Sequence, residues 1–440
     1  MPESSISRRA PWRVVRACTG DHPMIHRFLV SVFHRPSQVE FQAQLEEPSY
    51  EPMDRLLIKD GDHIVAHARL LNREMRYGRL VLPVGIIADL ATLPEYRGRG
   101  CGSVLLAAAR RAMLQNGSAL GLLETDQPRF FIRRGWVVNG RHSYSAAGPR
   151  RILSYLKQRE AEAGGLIRSL GDLRARKPYT IRLWRRVELA ALMRLYSENM
   201  RTGHGSLVRS HAYWRWLVSR WGKQRIYVAI NGQDRFELDD RLTPIVAYAA
   251  TRDARIVELM CSADHPDASV QLLGRACADA IESDFCHVRL DAPPHEALHT
   301  LVSRAGGDYA YHEADKGQVF MAHTLQLNRF LQFVGRDLVR RARQAGMPDP
   351  HRLGVLLNEE KYQLSLGHQG VHLSPGQLGR SYLKCSPYDL TQLLLGHVDV
   401  QHALASGRLR ASTGVARETA EAVFSRTILW RSPWDDLPAS

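Results

Sequence analysis

At 440 residues, with 44% hydrophobic and 24% charged side chains, the chain is long enough for about three domains and has neither a disordered nor a fibrous composition. No apolar run approaches the roughly 18 residues of a membrane helix, and MPESSISRRAPWR lacks the apolar core of a secretion signal, so a cytoplasmic protein without a membrane partner is expected. The six cysteines contain no C-x-x-C pair, which excludes a zinc ribbon or disulfide framework, and the net charge of +15 is spread along the chain, which favours phosphorylated ligands over nucleic acid.

In chain order, Trp12–Arg16 reads as a short strand, followed by a helix with Met24, Ile25, Phe28 and Leu29 on one face. LLIKDGDHIVAHARL then pairs two β-rich runs across Asp60-Gly61. The strand VGIIADLATL leads into PEYRGRGCGSVLLAAARR, in which three glycines stand among two arginines ahead of a strong helix former. Glycine turns with positive φ and lets a ligand approach the backbone, and a helix N-terminus adds unpaired amides and partial positive charge. That combination suits a phosphate. The strand ALGLLETD and the short run FFIRRGW follow.

The same order recurs. Tyr179–Leu183, a helix with Leu189, Leu192, Met193 and Leu195, a hairpin through Asn231-Gly232, ARIVELMCSADHPDASVQLL and HVRLDAPP repeat the first set, so copies are expected at 12–147 and 179–325. RRILSYLKQREAEAGGLIRSLGDLRARKP joins them. The division is therefore 1–150, a linker helix and connector over 151–178, 179–325, and a smaller third unit over 326–440 that opens with the amphipathic LNRFLQFVGRDLVRRARQAG. The fold class is α+β (mixed α/β). Copy two has Asp264-His265-Pro266-Asp267-Ala268-Ser269 where copy one has the glycine loop, and a proline with two aspartates repels phosphate, so copy two reads as architectural.

A rival motif is His295-Glu296-Ala297-Leu298-His299, a literal H-E-x-x-H. On a helix it would place two histidines on one face for zinc, with Glu296 as general base of a metalloprotease. No H-x-x-G-x-x-H extension follows, and the expected site carries no metal.

Strand, R-x-x-G-x-G-type loop and helix, with Phe130-Phe131-Ile132-Arg133-Arg134-Gly135-Trp136 after a second strand, resembles motifs A and B of the GNAT superfamily of acetyl-CoA-dependent N-acetyltransferases. Two such units and a smaller third resemble the enhanced intracellular survival (Eis) type: two tandem GNAT acyltransferase folds followed by a sterol-carrier-protein-like α/β domain. SPYDLTQLLLGHVDVQHALASGRLRAS is similar to that third domain. The resemblance implies that acetyl-CoA is the co-substrate and that its pantetheine pairs with the backbone of Leu90, Ala91 and Thr92. Its pyrophosphate would rest on the amides of Gly98, Arg99, Gly100, Cys101, Gly102 and Ser103, with Arg97 and Arg99 toward the adenosine phosphates and Asp126 near the cysteamine end.

Acetyl transfer to an amine needs a base for the ammonium proton and an acid for the leaving thiolate. The family's tyrosine acid is replaced here by Phe131, which makes Tyr144 and His142 candidates. The resemblance casts the C-terminal carboxylate of Ser440 as base, with Asp435, Asp436 and Asp89 as alternatives. The expected activity is N-acetylation of a primary amine on a small molecule or peptide, the alternative being a non-catalytic acyl-CoA-binding regulator. Exposed strand edges leave room for a homo-oligomer.

Overall fold

The computed structural model describes residues 12–170, 179–220, 224–234, 244–368, 370–427 and 429–436. The first unit runs β1 (Val14–Arg16), α1 (His22–Phe33), α2 (Gln38–Leu45), β2 (Arg55–Asp60), β3 (His63–Tyr77), β4 (Leu80–Thr92), α3 (Cys101–Gln115), β5 (Leu120–Thr125), α4 (Pro128–Ile132), β6 (Val137–Val138) and β7 (His142–Ala147). Gly61 turns the β2–β3 hairpin at φ +58°, as the Asp-Gly pair leads one to expect. Helix α3 lays Leu105, Leu106, Ala109 and Met113 on one face of the sheet, against Ile58, Ala68, Ile87 and Leu123. Helices α1 and α2 cover part of the opposite face through Ile25, Phe28, Leu29 and Phe41, packed on Leu57 and Ala91.

Helix α5 (Pro149–Leu170) leads to the second unit: β8 (Thr180–Leu183), α6 (Leu189–Met200), β9 (His204–Leu207), α7 (His211–Ser219), β10 (Gln224–Ile230), β11 (Ile245–Arg252), β12 (Arg255–Cys261), α8 (Pro266–Glu282), β13 (Val288–Asp291), α9 (Ala297–Arg304), β14 (Asp308–His312), β15 (Ala314–Asp315) and β16 (Gln318–Thr324). The start of α5 is more than a linker, because Ile152 and Leu156 are buried with Leu272, Leu273 and Ala276 in the second core. Residues 171–178 of the expected connector lie outside the described residues.

The two copies exchange their closing strands. The first sheet has the order β1-β2-β3-β4-β5-β16-β15, with β6 on β16 and β9 on β3; the second has the order β14-β7-β13-β12-β11-β10-β8. Strand β16 lies antiparallel on β5, Val319 opposite Thr125 and Phe320 opposite Glu124, while β7 sits between β13 and β14, with Tyr144 facing Asp291 and Ala310. The closing strand of each copy thus lies on the other's sheet. Both closing runs are short, alternating segments after a positive-φ glycine, Gly140 at +130° and Gly317 at +82°, so local pattern does not distinguish their destinations.

The third unit comprises α10 (Leu327–Gln344), β17 (His351–Leu357), β18 (Glu360–Gly367), β19 (Gly370–Pro375), β20 (Tyr382–Cys385), α11 (Pro387–Leu394), α12 (Val400–Ala405), β21 (Leu409–Ala411) and α13 (Gly414–Val423), with sheet order β19-β18-β17-β20-β21. Its core is continuous with that of the first unit. Phe330, Leu331, Val334 and Leu338 of α10 meet Met75, Tyr77 and Val84 of the first sheet and Leu353, Val355 and Leu364 of the third in one cluster, and the Tyr77 hydroxyl donates to the Leu394 carbonyl at 2.5 Å.

Phe330 is fully buried at this junction and stands edge-on to Tyr77, with ring centroids 6.1 Å apart. Phe330→Ala is expected to cost about 3–5 kcal/mol and to lower the unfolding midpoints of the first and third units together in denaturant titration. A third unit that unfolds in its own unshifted transition would contradict a shared core.

Candidate functional site

Strand β4 is held between β3 and β5, but unequally. Its parallel pairing with β5 runs from Val84↔Leu120 to Ile87↔Leu123, whereas its antiparallel pairing with β3 continues to Thr92↔Ala66. Beyond Ile87 the strands part, and the β5-facing edge from Ala88 to Thr92 has no strand partner among the described residues. A bulge lies here: Ala88 and Ala91 oppose Arg69 and His67, so β4 carries one extra residue, and Asp89 takes φ +52°. The His67 Nδ1–H donates to the Asp89 carbonyl at 2.9 Å, and its Nε2 accepts from Arg55 Nη1 at 3.2 Å. Arg55 also donates to Tyr50 Oη at 3.2 Å and to Gln44 Oε1 at 2.9 Å. Burial, then the Arg55 charge, pushes the His67 pKa down to about 3, so the imidazole is neutral and can accept from the guanidinium.

The glycine loop follows at the α3 side of this opening. Gly98 and Gly100 have φ +73° and +88°, and a Cβ on either would meet nothing within 4 Å. Among the described residues the amides of Gly98, Arg99, Gly100, Cys101 and Gly102 find no acceptor, while the Ser103 amide already donates to the Gly100 carbonyl at 3.0 Å. The expected amide cradle is therefore shorter by one residue. The Ser103 hydroxyl accepts from Arg134 Nη2 at 2.5 Å. Arg97 Nε donates to the Thr92 carbonyl at 3.3 Å, and Arg99 lies over the Tyr96 ring at 5.1 Å while its carbonyl accepts from Trp12 Nε1 at 2.9 Å. The Cys101 thiol is buried, its Sγ 3.9 Å from the Tyr96 carbonyl, and burial raises its pKa. Asp126 is exposed one residue beyond β5.

Sequence reading missed two features. A cavity of about 480 Å³ is lined by Arg129, Phe130, Arg133 and Arg134, and Phe130 stands 3.3 Å from where a Cβ on Gly102 would lie. The signal was present in the cationic run RFFIRR. The second feature is Glu124, which alternation on β5 directs away from α3 into a crevice between the two sheets. It lies opposite Phe320, whose ring stacks on His142 at 4.5 Å, and its carboxylate is 4.0 Å from His142 Nε2. Its side chain is 30% exposed. Crowding by the crevice walls, then the charge of Asp436, pushes its pKa up to about 7, with Asp315 adding to the rise and Arg431 and Arg255 opposing it.

The expected catalytic residues are scattered, with Asp89 at the β4 bulge, Asp436 at the crevice and others away from both. Tyr144 is on the second sheet, its ring 3.6 Å from the Arg289 guanidinium and its hydroxyl 3.4 Å from Asp315 Oδ1. Asp89 has one carboxylate oxygen buried and without a partner among the described residues. Asp435 is locked in a fully buried fork with Arg209, at 2.8 and 2.9 Å. Asp436 stands at the crevice, 2.6 Å from Arg431. Ser440 lies outside the described residues. Phe131 is core, edge-on to Trp136 at 6.0 Å. In the HEALH run the helix starts at Ala297, with Glu296 extended as its N-cap and His295 before it, so the two histidines do not share a helix face. His299 is buried against Ser145 Oγ at 2.7 Å and Ser143 Oγ at 3.2 Å. Among the described residues no group of three His, Cys, Asp or Glu could hold a metal ion.

Parted parallel strands, a bulge and a glycine loop opening a helix make up the candidate site, and residues 13–138, which contain all three, match the family model described as acetyltransferase (GNAT) domain. That match lies within the first unit, and across the whole chain the likeness to known proteins is one of fold. Its fold is similar to the GCN5-related N-acetyltransferase from Anabaena variabilis ATCC 29413 at 15% identity, covering 96% of this chain and 99% of that one, with TM-score 0.69. It is similar also to the GCN5-related N-acetyltransferase from Kribbella flavida (15% identity, 96% and 99% coverage, TM-score 0.68) and to Eis1 from Mycobacterium abscessus (14% identity, 96% and 99% coverage, TM-score 0.62). No curated protein matches the chain.

The neutral His67 gives the bulge a pH signature. Above about pH 6.5 neither folded nor unfolded imidazole is charged; below it the unfolded chain takes a proton that the folded chain refuses, so stability falls as pH drops toward the folded value of about 3. His67→Gln is expected to flatten this dependence by about one proton, ~1.4 kcal/mol per pH unit, in urea titrations between about pH 6 and 4.5. An unchanged slope would show that the buried imidazole is not held neutral.

Proposed function

We propose that the chain transfers the acetyl group of acetyl-CoA to a primary amine of a small molecule or peptide, in the cytoplasm. The observation that carries the reading is one opening with complementary equipment on its two sides. Acceptor-free amides lie on the α3 side, and Glu124, with its raised pKa, lies on the other. The fit to coenzyme A rests on the open space at Gly98 and Gly100, the unpartnered edge of Ala88–Thr92 and the cationic cavity beside Gly102. The amides from Gly98 to Gly102 would hold the pyrophosphate, Arg97 and Arg99 the phosphate oxygens, and Arg129, Arg133 and Arg134 the remaining adenosine phosphate. The edge of Leu90, Ala91 and Thr92 would take the pantetheine amides as a strand takes its neighbour, with Asp126 at the mouth.

Acetyl-CoA supplies an activated thioester; the protein needs to seat it, exclude water and take one proton. Glu124 is the residue we assign as general base, because a carboxylate titrating near 7 matches an amine to be deprotonated at neutral pH. The thiolate that leaves can take its proton from water, so Phe131 in place of a tyrosine does not by itself stop the reaction. That same Phe131 favours the second reading, an acyl-CoA-binding regulator without turnover.

Thiol release from acetyl-CoA over a panel of primary amines separates the two. Turnover on at least one amine is expected, and binding without turnover on any would establish the regulator. With the amine in hand, Glu124→Gln is expected to lower kcat by about 10²–10⁴-fold, to leave the KM for acetyl-CoA within a few-fold and to remove the acid limb of the pH profile; an unchanged kcat would remove Glu124 as base. The double variant Arg129→Gln, Arg133→Gln is expected to raise the KM for acetyl-CoA and to leave that for dephospho-CoA substrate little altered, and equal effects on both would place the adenosine phosphate elsewhere.

A further inference from the structure

The last described segment, Leu429–Asp436, is a strap held at both ends. At its start the Trp430 amide donates to the His204 carbonyl at 2.8 Å, and Leu429 bridges His204. At its end Trp434 is fully buried, its indole Nε1 donating to Gln224 Oε1 at 3.0 Å, and Arg220 donates to the carbonyls of Trp434 and, at 3.1 Å, of Asp436. Between them Asp435 closes on Arg209, which also grips Glu258 at 2.6 and 2.9 Å; all three side chains are fully buried, and the guanidinium stacks on Tyr196 at 3.9 Å. So many buried charged contacts leave the strap one path.

That path brings Arg431 into the crevice. Its guanidinium lies 5.6 Å from the Phe320 ring and 2.6 Å from Asp436 Oδ1, and its Nε is buried without a partner among the described residues. Phe320 is thus flanked by His142 and Arg431, and it sits directly across from Glu124. The charged and titratable groups around Glu124 are His142 of β7, Asp315 of β15, Arg255 of β12, and Arg431 and Asp436 of the strap, with Tyr144 and Arg289 behind them on Asp315. Arg255 is neutralised by Asp291 at 2.5 Å and Arg289 by Asp291 and Asp315 at 2.8 and 3.0 Å, so the pair brought by the strap is the adjustable part of this set.

We propose that Arg431 is a positioning residue: the strap seats its guanidinium against Phe320, which lies across from Glu124, and beside Asp436, and through these two it acts on the Glu124 carboxylate. The inference rests on Glu124 facing the acceptor, and its test does not depend on turnover. In the full-length chain with ¹³C-labelled glutamate carboxyls, Glu124 is assigned by the resonance missing from Glu124→Gln, and its titration is followed alongside the pH dependence of kcat/KM. Removing the cation in Arg431→Gln is expected to raise the Glu124 midpoint by roughly half to one pH unit, Arg431→Lys to hold it within a few tenths, and Asp436→Asn to lower it. A merely structural role would not give shifts of opposite sign. The proposal is overturned by an Arg431→Gln midpoint that does not move, or by Arg431→Lys moving it as far. Where Arg431→Gln does not fold, the direction of the Asp436→Asn shift decides. A midpoint that moves while the acid limb of kcat/KM stays put supports the role of Arg431 and removes Glu124 as the base.

Discussion

A single buried hydrogen bond, from the neutral His67 imidazole to the carbonyl of Asp89, holds β4 in a left-handed kink where it would otherwise continue beside β5. The arrangement costs desolvation of Arg55, whose own pKa is pushed down to about 10 chiefly by burial, and that cost is offset by hydrogen bonds to Tyr50, Gln44 and the imidazole. Networks of this kind specify one geometry more than they add stability. Here the geometry is an open edge of backbone, and both halves of the proposed chemistry are arranged around it. The glycine loop lies on the α3 side, and Glu124 and the strap lie on the other.

The strand exchange gives the second copy a part in the site. That copy carries Asp264, Pro266 and Asp267 where the first copy has its glycine loop, yet it is more than scaffolding. Because β16 completes the first sheet and β7 completes the second, the walls of the crevice come from both: Phe320 on the first sheet, His142 and Tyr144 on the second, with Arg255, Arg289 and Asp315 behind them. The shared core beneath α10 ties the third unit to the same sheet, so the three units are joined at the crevice and not strung along the chain.

The legible parts of the sequence were those governed by local physics. RGRGCG ahead of an alanine-rich helix announced the loop, Asp60-Gly61 its hairpin, and Phe131 its missing hydroxyl, because each depends on residues within one turn or strand. Glu124 was overlooked because a lone carboxylate in ALGLLETD looks like any strand-end charge; what singles it out is the proximity of Asp436, some 300 residues away, and of Asp315. The exchange was invisible for a related reason: HSYSAA and QVFMAHT alternate equally well on either sheet, and the choice is made by burial after the units meet. Tyr144 went with its strand. HEALH, set aside as a metal motif, is the opposite case: a spacing with helical meaning in a stretch where Pro293 and Pro294 delay the helix to Ala297.

Calorimetric titration of acetyl-CoA into the intact chain and into Gly100→Asp tests the central claim most directly. A Cβ at Gly100 meets no atom within 4 Å, although φ +88° strains any side chain there, and the variant sets a carboxylate among the amides of the loop, so Gly100→Ala is the control that separates strain from charge. One site per chain, weakened by salt and lost in the variant, is the predicted result. Equal binding by both forms, or none by the intact chain, would contradict it.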